Sequence, residues 1–466
     1  MLPAPRLKIV HVAATATGAP WMIALMREQK RLGHQVAAIV PALDGGIGAQ
    51  LAALEIPCHA ADVDILFSRS LVAGKIGTLF RLVRLLRQIR PDVVHSHIVN
   101  SVITARLASW IADVPVHFGG NAHPMSMESD VLRAIEVGTA FCDTATIASC
   151  TYTRDLMLRH GVPAGQLELI YYAVDQRRHE PSLANGSRVR EELGIGPETL
   201  VIGKIAYFYP PARSAGVVPE RLQGRGIKGH EVLIRAAPRV LACFPEARFI
   251  LVGRGWGPRG PQYERELKDL ATHLGLGRSL LFIGERTDIP DLLAAFDIAV
   301  QCSLSDNLAG TVEALLMARP LVTSDIGGFV DTVLHEETGL AATVDDPDAL
   351  ADALLRLLRD RALAQRLGEQ GRRHVEARFT LAKSVADHER LLAARGRTSD
   401  GYYRLTVTLA RTVSLPFRLL PTGFAVYAAL RRHGFSLPRF AGRILRRVTG
   451  RVLYRTSLDR SGARVG

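Results

Sequence analysis

The 466-residue chain holds only seven lysines against 51 arginines, so each lysine draws notice. Two of them sit where an anion could be met. Lys204 lies in a strand-like run that feeds a long loop, and Lys228 stands in Ile227-Lys228-Gly229-His230-Glu231, which opens a helical pattern. Further on, SLSDNLAGTVEALLMA (303–318) follows a strand pattern. It places Asp306 just before a helix and Glu313, seven residues later, inside it. Two glycine loops also follow apolar runs. One is Gly253-Arg254-Gly255-Trp256-Gly257, and the other is Ser324-Asp325-Ile326-Gly327-Gly328-Phe329-Val330-Asp331, a turn into a helix and hence a natural anion site.

The chemistry these residues suit is that of a sugar nucleotide. Lysines and backbone amides would neutralise a departing diphosphate. Carboxylates would accept charge-assisted hydrogen bonds from sugar and ribose hydroxyls. No GxxxxGK[ST] phosphate loop occurs. The DxD pairs at Asp62/Asp64 and Asp346/Asp348 fall outside these loops, and the second reads as a helix start, so no metal is expected in phosphate handling.

Residues of this kind act from the carboxyl ends of parallel strands, and the surrounding pattern supplies such strands. Short apolar runs alternate with helical patterns in both halves. In the first half the expected strands are Leu7–Ala13, Gln35–Pro41, Asp92–His95, Val114–Phe118, Thr144–Ala148 and Leu167–Tyr171. In the second they are Leu200–Ala206, Arg248–Gly253, Leu280–Gly284, Ile298–Gln301 and Leu321–Thr323. The spacing predicts an α/β chain of two doubly wound domains. The expected divisions are 1–184 for a first domain, a polar linker at 185–196, and 197–377 for a nucleotide-sugar domain. A closing helix at 378–396 and a basic tail at 397–466 complete the chain.

Composition narrows the class. Hydrophobic residues make up 48% and charged residues 22%, which excludes a mainly disordered chain, a fibrous repeat and a small disulfide scaffold. The net charge of +13 invites a nucleic-acid reading, but residues 401–466 hold thirteen arginines and one acid, Asp459. The first 400 residues carry only +1, so the basic character belongs to the tail, and nucleic acid is not an expected partner. Five scattered cysteines without a CxxC pair read as buried small hydrophobes in a reducing compartment. No apolar run is long enough to span a membrane, and the N-terminus enters a strand pattern directly, which predicts a cytoplasmic chain.

The ordered motifs KGHE, LVGRG, FIGERTDIPDLLAAFDIAVQCS, SLSDNLAGTVEALLMARPLVTSDIGGFVD and ARFTLAKSVADH resemble the retaining glycosyltransferases of family 4, the group 1 type, which have the GT-B fold. The resemblance covers about residues 8 to 395 and implies two Rossmann-like domains facing across a cleft, with 1–184 on the acceptor side and 197–377 binding the nucleotide sugar. It implies that Lys228 binds the donor diphosphate, with Lys204 where many members carry an arginine. It assigns Glu313, the second glutamate of the E-x7-E motif, to the ribose hydroxyls. Ser305 stands in register with the first glutamate, and Asp306, one residue on, is the candidate for the donor-sugar contact. Gly253 falls in the donor-side loop after its strand, Gly327 and Gly328 would offer amides to the phosphate region, and Arg286 would lie near the base. Gly18 would line the loop that approaches donor phosphate and acceptor. His123 is the expected active-site histidine, in preference to His117 inside a strand, with His97 as a second candidate.

The implied reaction is retaining sugar transfer from a nucleotide-sugar co-substrate, with no metal or other cofactor. The alternatives are a non-catalytic scaffold of the same fold and a GT-B epimerase or phosphorylase. In the tail, Phe440, Ile444, Leu445, Val448 and Val452 would share one helix face, with Arg439, Arg443, Arg446 and Arg447 opposite. This pattern suggests an anionic membrane surface as a partner through residues 401–466. It motivates a lipid-linked or cell-surface glycan acceptor, used in polysaccharide biosynthesis at the inner face of the plasma membrane.

Overall fold

The computed structural model describes residues 6–66, 72–121, 123–212 and 218–395. Among them, thirteen strands form two parallel sheets. The first contains β1 (Lys8–Ala13), β2 (Gln35–Val40), β3 (Cys58–Ala60), β4 (Val93–His97), β5 (Val116–Asn121), β6 (Ala145–Ala148) and β7 (Leu167–Leu169), in the order β3-β2-β1-β4-β5-β6-β7. The second contains β8 (Val201–Ile205), β9 (Arg248–Val252), β10 (Leu280–Phe282), β11 (Ile298–Gln301), β12 (Leu321–Ser324) and β13 (Leu340–Ala342), in the order β10-β9-β8-β11-β12-β13. Both sheets reverse direction beside their first strand, between β1 and β4 and between β8 and β11. Such switch points open a crevice at the strands' carboxyl ends.

The central strands read as near-continuous apolar runs because helices cover both faces. Val10, Val12, Ile39, Val93 and Val94 are buried in the first sheet, and Ile202, Phe249, Leu251 and Val300 in the second. Every expected strand is present, with ends shifted by three residues or fewer. Two three-residue strands, β3 and β13, were not expected. Both lie at sheet edges, where so short a run shows no periodicity.

The stretch 185–196, expected as a linker, contains the helix Gly186–Glu192 instead. Its Val189 is buried with Leu292 and Phe296, and Gly186 lies so close to Ala294 that a Cβ would collide. The helix therefore packs onto the second sheet's layer. The closing helix Leu381–Arg395 returns to the first domain. Its Leu391 and Leu392 pack with Ile9, Val93 and Phe118, while Leu381 and Val385 pack with Ala24 and Leu25.

All five cysteines are free. Cys142, Cys150 and Cys302 are buried as expected, but Cys58 is half-buried and Cys243 exposed. No described helix is long and apolar enough to cross a membrane. The tail, its amphipathic pattern and the membrane contact expected of it lie outside the described residues.

Candidate active site

The second sheet presents Lys228 through a close crossing. Gly229 adopts φ +64°, and a Cβ there would collide with the Cys302 carbonyl at the end of β11. Glycine alone lets this loop pass so near before the helix His230–Cys243 begins. The Leu304 amide donates to the Ile227 carbonyl at 2.8 Å, tying the Lys228 loop to the Ser303–Asp306 loop. As a result the Lys228 Nζ donates to Asp306 Oδ2 at 2.6 Å.

Asp306 is the hub of the site. Its Oδ2 also accepts from Ser303 Oγ at 2.8 Å, and its Oδ1 from the Asn307 amide at 2.9 Å. Across the cleft, His123 Nε2 lies 3.9 Å from Oδ1. Burial alone would raise this carboxyl's pKa, but the Lys228 charge and the donated hydrogen bonds bring it down to about 2. Asp306 is therefore an anion at neutral pH. Ser305, in register with the expected first glutamate, is fully buried, and its hydroxyl has no hydrogen-bond partner among the described residues. Of these two neighbours, Asp306 is the one whose carboxylate meets Lys228 and His123.

His123 is uncharged at neutral pH, since burial holds its pKa at about 4 against the opposing pull of Asp306. Its Nδ1 accepts from the Met125 amide at 3.2 Å, so the ring proton sits on Nε2, on the side of Asp306. The neutral ring can donate a hydrogen bond from that atom but cannot accept a proton there. Lys204 is buried beneath the cluster, its Nζ 3.5 Å from Gln301 Oε1, and desolvation lowers its pKa. Tyr209, which sequence reasoning missed, places its ring 5.8 Å from Lys228 Nζ and packs against Trp256. Its position just past the end of β8 is the signal that could have found it.

Glu313 behaves differently. It lies on the helix Ala309–Leu316, and its side chain makes no hydrogen bond to any described residue. Burial raises its pKa to about 7, opposed only by the charge of Arg178. Of two carboxylates seven residues apart, one is thus pushed below and the other above the usual carboxylate range.

The other expected residues divide. Gly18 (φ +77°) sits in the loop between β1 and the helix Pro20–Arg31, with open space where a Cβ would point. Gly253 (φ +144°) allows the ends of β8, β9 and β10 to close up, its amide donating to the Gly284 carbonyl at 2.8 Å. Gly327 (φ +61°) packs on the Asp306 backbone, and the Gly328 amide donates to the Asp306 carbonyl at 3.0 Å. That amide is therefore occupied rather than offered to phosphate, and the helix that follows, Phe329–Thr332, is a single turn. Both glycines lie against the Asp306 loop and help to hold it in place.

Arg286 forks onto Asp288 at 2.6 and 2.9 Å and pairs with Glu192. Among the described residues no contact joins it to the Lys228 cluster. His97 is buried and bonded to His11, and His117 to Ser96 and Asp143, so neither takes the place of His123. Asp346 caps the helix Pro347–Arg359, as its sequence position predicted.

Comparison with known proteins places the chain in a family. The family model for glycosyl transferases group 1 matches residues 219–374, and that for glycosyltransferase family 4 matches residues 21–178. The lipopolysaccharide core biosynthesis mannosyltransferase LpsB of Rhizobium meliloti is 29% identical over 224 residues, covering 42% of this chain and 63% of that protein. An Escherichia coli UDP-Gal:alpha-D-GlcNAc-diphosphoundecaprenol alpha-1,3-galactosyltransferase is 25% identical over 300 residues, covering 61% of this chain and 71% of that protein. Among solved structures, Anabaena HepE in complex with UDP and glucose superposes with a TM-score of 0.70 at 22% identity, covering 84% of this chain and all of that one. Two doubly wound domains, a lysine–carboxylate–histidine cluster between them and two matching family models lead to one conclusion: the chain belongs to the group 1, family 4 glycosyltransferases of GT-B architecture.

Proposed function

We propose that the chain transfers a sugar from a nucleoside diphosphate donor to a hydroxyl acceptor, with retention at the anomeric carbon. The observation that carries this reading is the meeting of Lys228, Asp306 and His123 in the loops at the carboxyl ends of the two sheets' strands. Lys228, with Lys204 buried behind it, supplies positive charge for the diphosphate oxygen that leaves. Asp306, ionised and fixed by Ser303 and Asn307, accepts hydrogen bonds from donor-sugar hydroxyls. Glu313 receives the ribose hydroxyls.

In this reading the bond from the anomeric carbon to the diphosphate oxygen breaks as the acceptor oxygen bonds to the same face. The acceptor's proton passes to the departing oxygen. His123 donates from Nε2 and orients the sugar; it is not the base. The protein's part is positioning and charge stabilisation, and no metal takes part in the step. The relatives' printed donors differ: one name carries UDP-Gal, and another carries GDP-mannose. The base is therefore left to experiment.

The acceptor proposed is a lipid-linked or cell-surface glycan precursor, met at the inner face of the plasma membrane with the aid of residues 401–466. Incubating the chain with UDP-, GDP- and ADP-sugars and candidate acceptors, and following the anomeric proton by NMR, tests the reaction. A product of unchanged anomeric configuration supports it, and an inverted product contradicts it. Flotation with anionic vesicles tests the tail. The full chain should float and a chain ending at residue 400 should not; equal recovery would exclude the tail as the contact.

A further inference from the structure

The first domain carries a second cluster that the transfer reaction does not use. His11 on β1 pairs in register with His95 on β4, and His97 lies two residues beyond His95 on the same face. That pattern directs three imidazoles to one side of the two central strands, where a parallel sheet is normally aliphatic. All three are buried, with relative exposures of 0%, 3% and 2%. One ring nitrogen from each lies within 4.8 Å of those from the other two. His95 makes no ring hydrogen bond to any described residue, and its ring lies 4.0 Å from that of His97 and 5.2 Å from that of His388. A cavity of about 20 Å³ opens beside them, lined by His95, His97, His388, Gly120 and Ser149.

Outer contacts orient these rings as ligands are oriented. The side-chain oxygen of Gln29 can only accept, so His11 Nε2 carries the proton in their 2.8 Å bond, and Nδ1 keeps its lone pair. The Ser384 carbonyl likewise fixes the proton of His388 on Nδ1 at 2.8 Å, leaving the lone pair on Nε2. The His11 Nδ1 lone pair faces His97 Nε2 at 2.8 Å. A hydrogen bond fills that space through a single proton. Four-coordinate nitrogen ligands at about 2.0–2.1 Å from an ion stand about 3.3–3.4 Å apart, so the two rings need part by only about half an ångström.

We infer that His11, His95 and His97 form a binding site for a divalent transition-metal ion of the zinc type. Imidazole nitrogens without a carboxylate favour zinc, cobalt or nickel over magnesium or calcium. On binding, the His97 proton moves from Nε2 to Nδ1 of the same ring, and the ion takes its place. His388 or a water on the cavity side completes the coordination. The site is separate from the diphosphate chemistry, for which no metal was expected, and holds β1 and β4 together at the switch point. Ser149, on the cavity wall, accepts a hydrogen bond from Asn307 Nδ2 of the second domain at 2.7 Å, so the ion sits directly behind the domain contact.

The test uses the untagged full chain, stripped with a chelator and titrated with Co2+ or Zn2+ alone. One equivalent should bind, with visible cobalt absorption of low coordination number. Zinc-edge X-ray absorption should count three or four imidazole nitrogens. His95→Ala and His97→Ala should each weaken binding at least a hundred-fold. Gln29→Ala, which frees the His11 ring, should weaken it about ten- to a hundred-fold. His335→Gln, on the exposed surface of the other domain, should change nothing. Absence of stoichiometric binding by the wild type, or one or no imidazole in its absorption spectrum, would overturn the site. Binding unmoved by His95→Ala would do the same. The wild-type spectrum decides even where a cavity variant does not fold.

Discussion

Asp306 and Glu313 show how a few ångströms of surroundings divide two carboxylates. Lys228 keeps the first ionised down to about pH 2, while burial keeps the second protonated up to about pH 7. If ionised Glu313 holds the ribose, donor affinity falls as pH drops below 7, because the site must first lose a proton. Titrating a nucleotide sugar by calorimetry between pH 6 and 8.5 should show affinity rising towards a plateau above pH 7. Glu313→Gln should flatten the profile, and a wild-type profile that is already flat removes Glu313 from the ribose contact. At the neighbouring position, Asp306→Ala should lower transfer at least a hundred-fold, whereas Ser305→Ala should leave it within a few-fold. Equal losses would mean that the loop, and not the Asp306 carboxylate, is what matters. The identity of Asp306 was legible from its place before the helix. The partnership of His123 across the cleft was not, because 183 residues of sequence separate the two and no local pattern encodes that meeting.

At the scale of elements, glycines and one buried ion network set the geometry. Gly327 lies against the Asp306 carbonyl at a positive φ that a side chain resists. Gly327→Ala should therefore cost about 1–2 kcal/mol and displace Asp306. A lower melting temperature together with lost transfer is expected, and an unchanged protein would show that the loop is free to adapt. In the first domain, Arg106 is fully buried and bridges Asp143 and Glu136 at 2.6–2.8 Å, with His117 Nδ1 sharing Asp143 Oδ1 with the Arg106 Nε. Removing the guanidinium strands two buried carboxylates. Arg106→Ala should cost about 3–5 kcal/mol by denaturant unfolding, and a loss below 1 kcal/mol would mean that water enters the site. The long strands and helices were readable from periodicity. The helix Gly186–Glu192 was not, since its seven residues are mostly polar and one buried valine, Val189, does its anchoring.

Taken whole, the molecule is two sheets joined by specific cross-cleft contacts. The Thr151 amide donates to Asp331 at 2.7 Å, Arg221 pairs with Glu128 at 2.6 Å, and Ser149 accepts from Asn307. Asp331→Ala with Arg221→Ala should loosen this closure. A larger radius of gyration and a raised KM for donor, with the melting temperature of each domain kept, are expected. No change in scattering would place the closing force elsewhere. The two-domain plan was legible because each half repeats the strand–helix alternation. The return of the closing helix to the first domain was not, since its apolar stripe fits either core and only the fold selects Ile9 and Phe118 as its neighbours.

The central claim is that the Lys228–Asp306–Glu313 site binds a nucleoside diphosphate. Calorimetric or thermal-shift titration with UDP, GDP and ADP, on the wild type and on Lys228→Ala and Glu313→Ala, measures it directly. At about 100 times its dissociation constant, one diphosphate should stabilise the wild type by about 2.7 kcal/mol. Lys228→Ala should weaken that binding by about 1.5–3 kcal/mol, the worth of a charged hydrogen bond. No response to any of the three nucleotides, or an equal response in wild type and Lys228→Ala, would contradict the account.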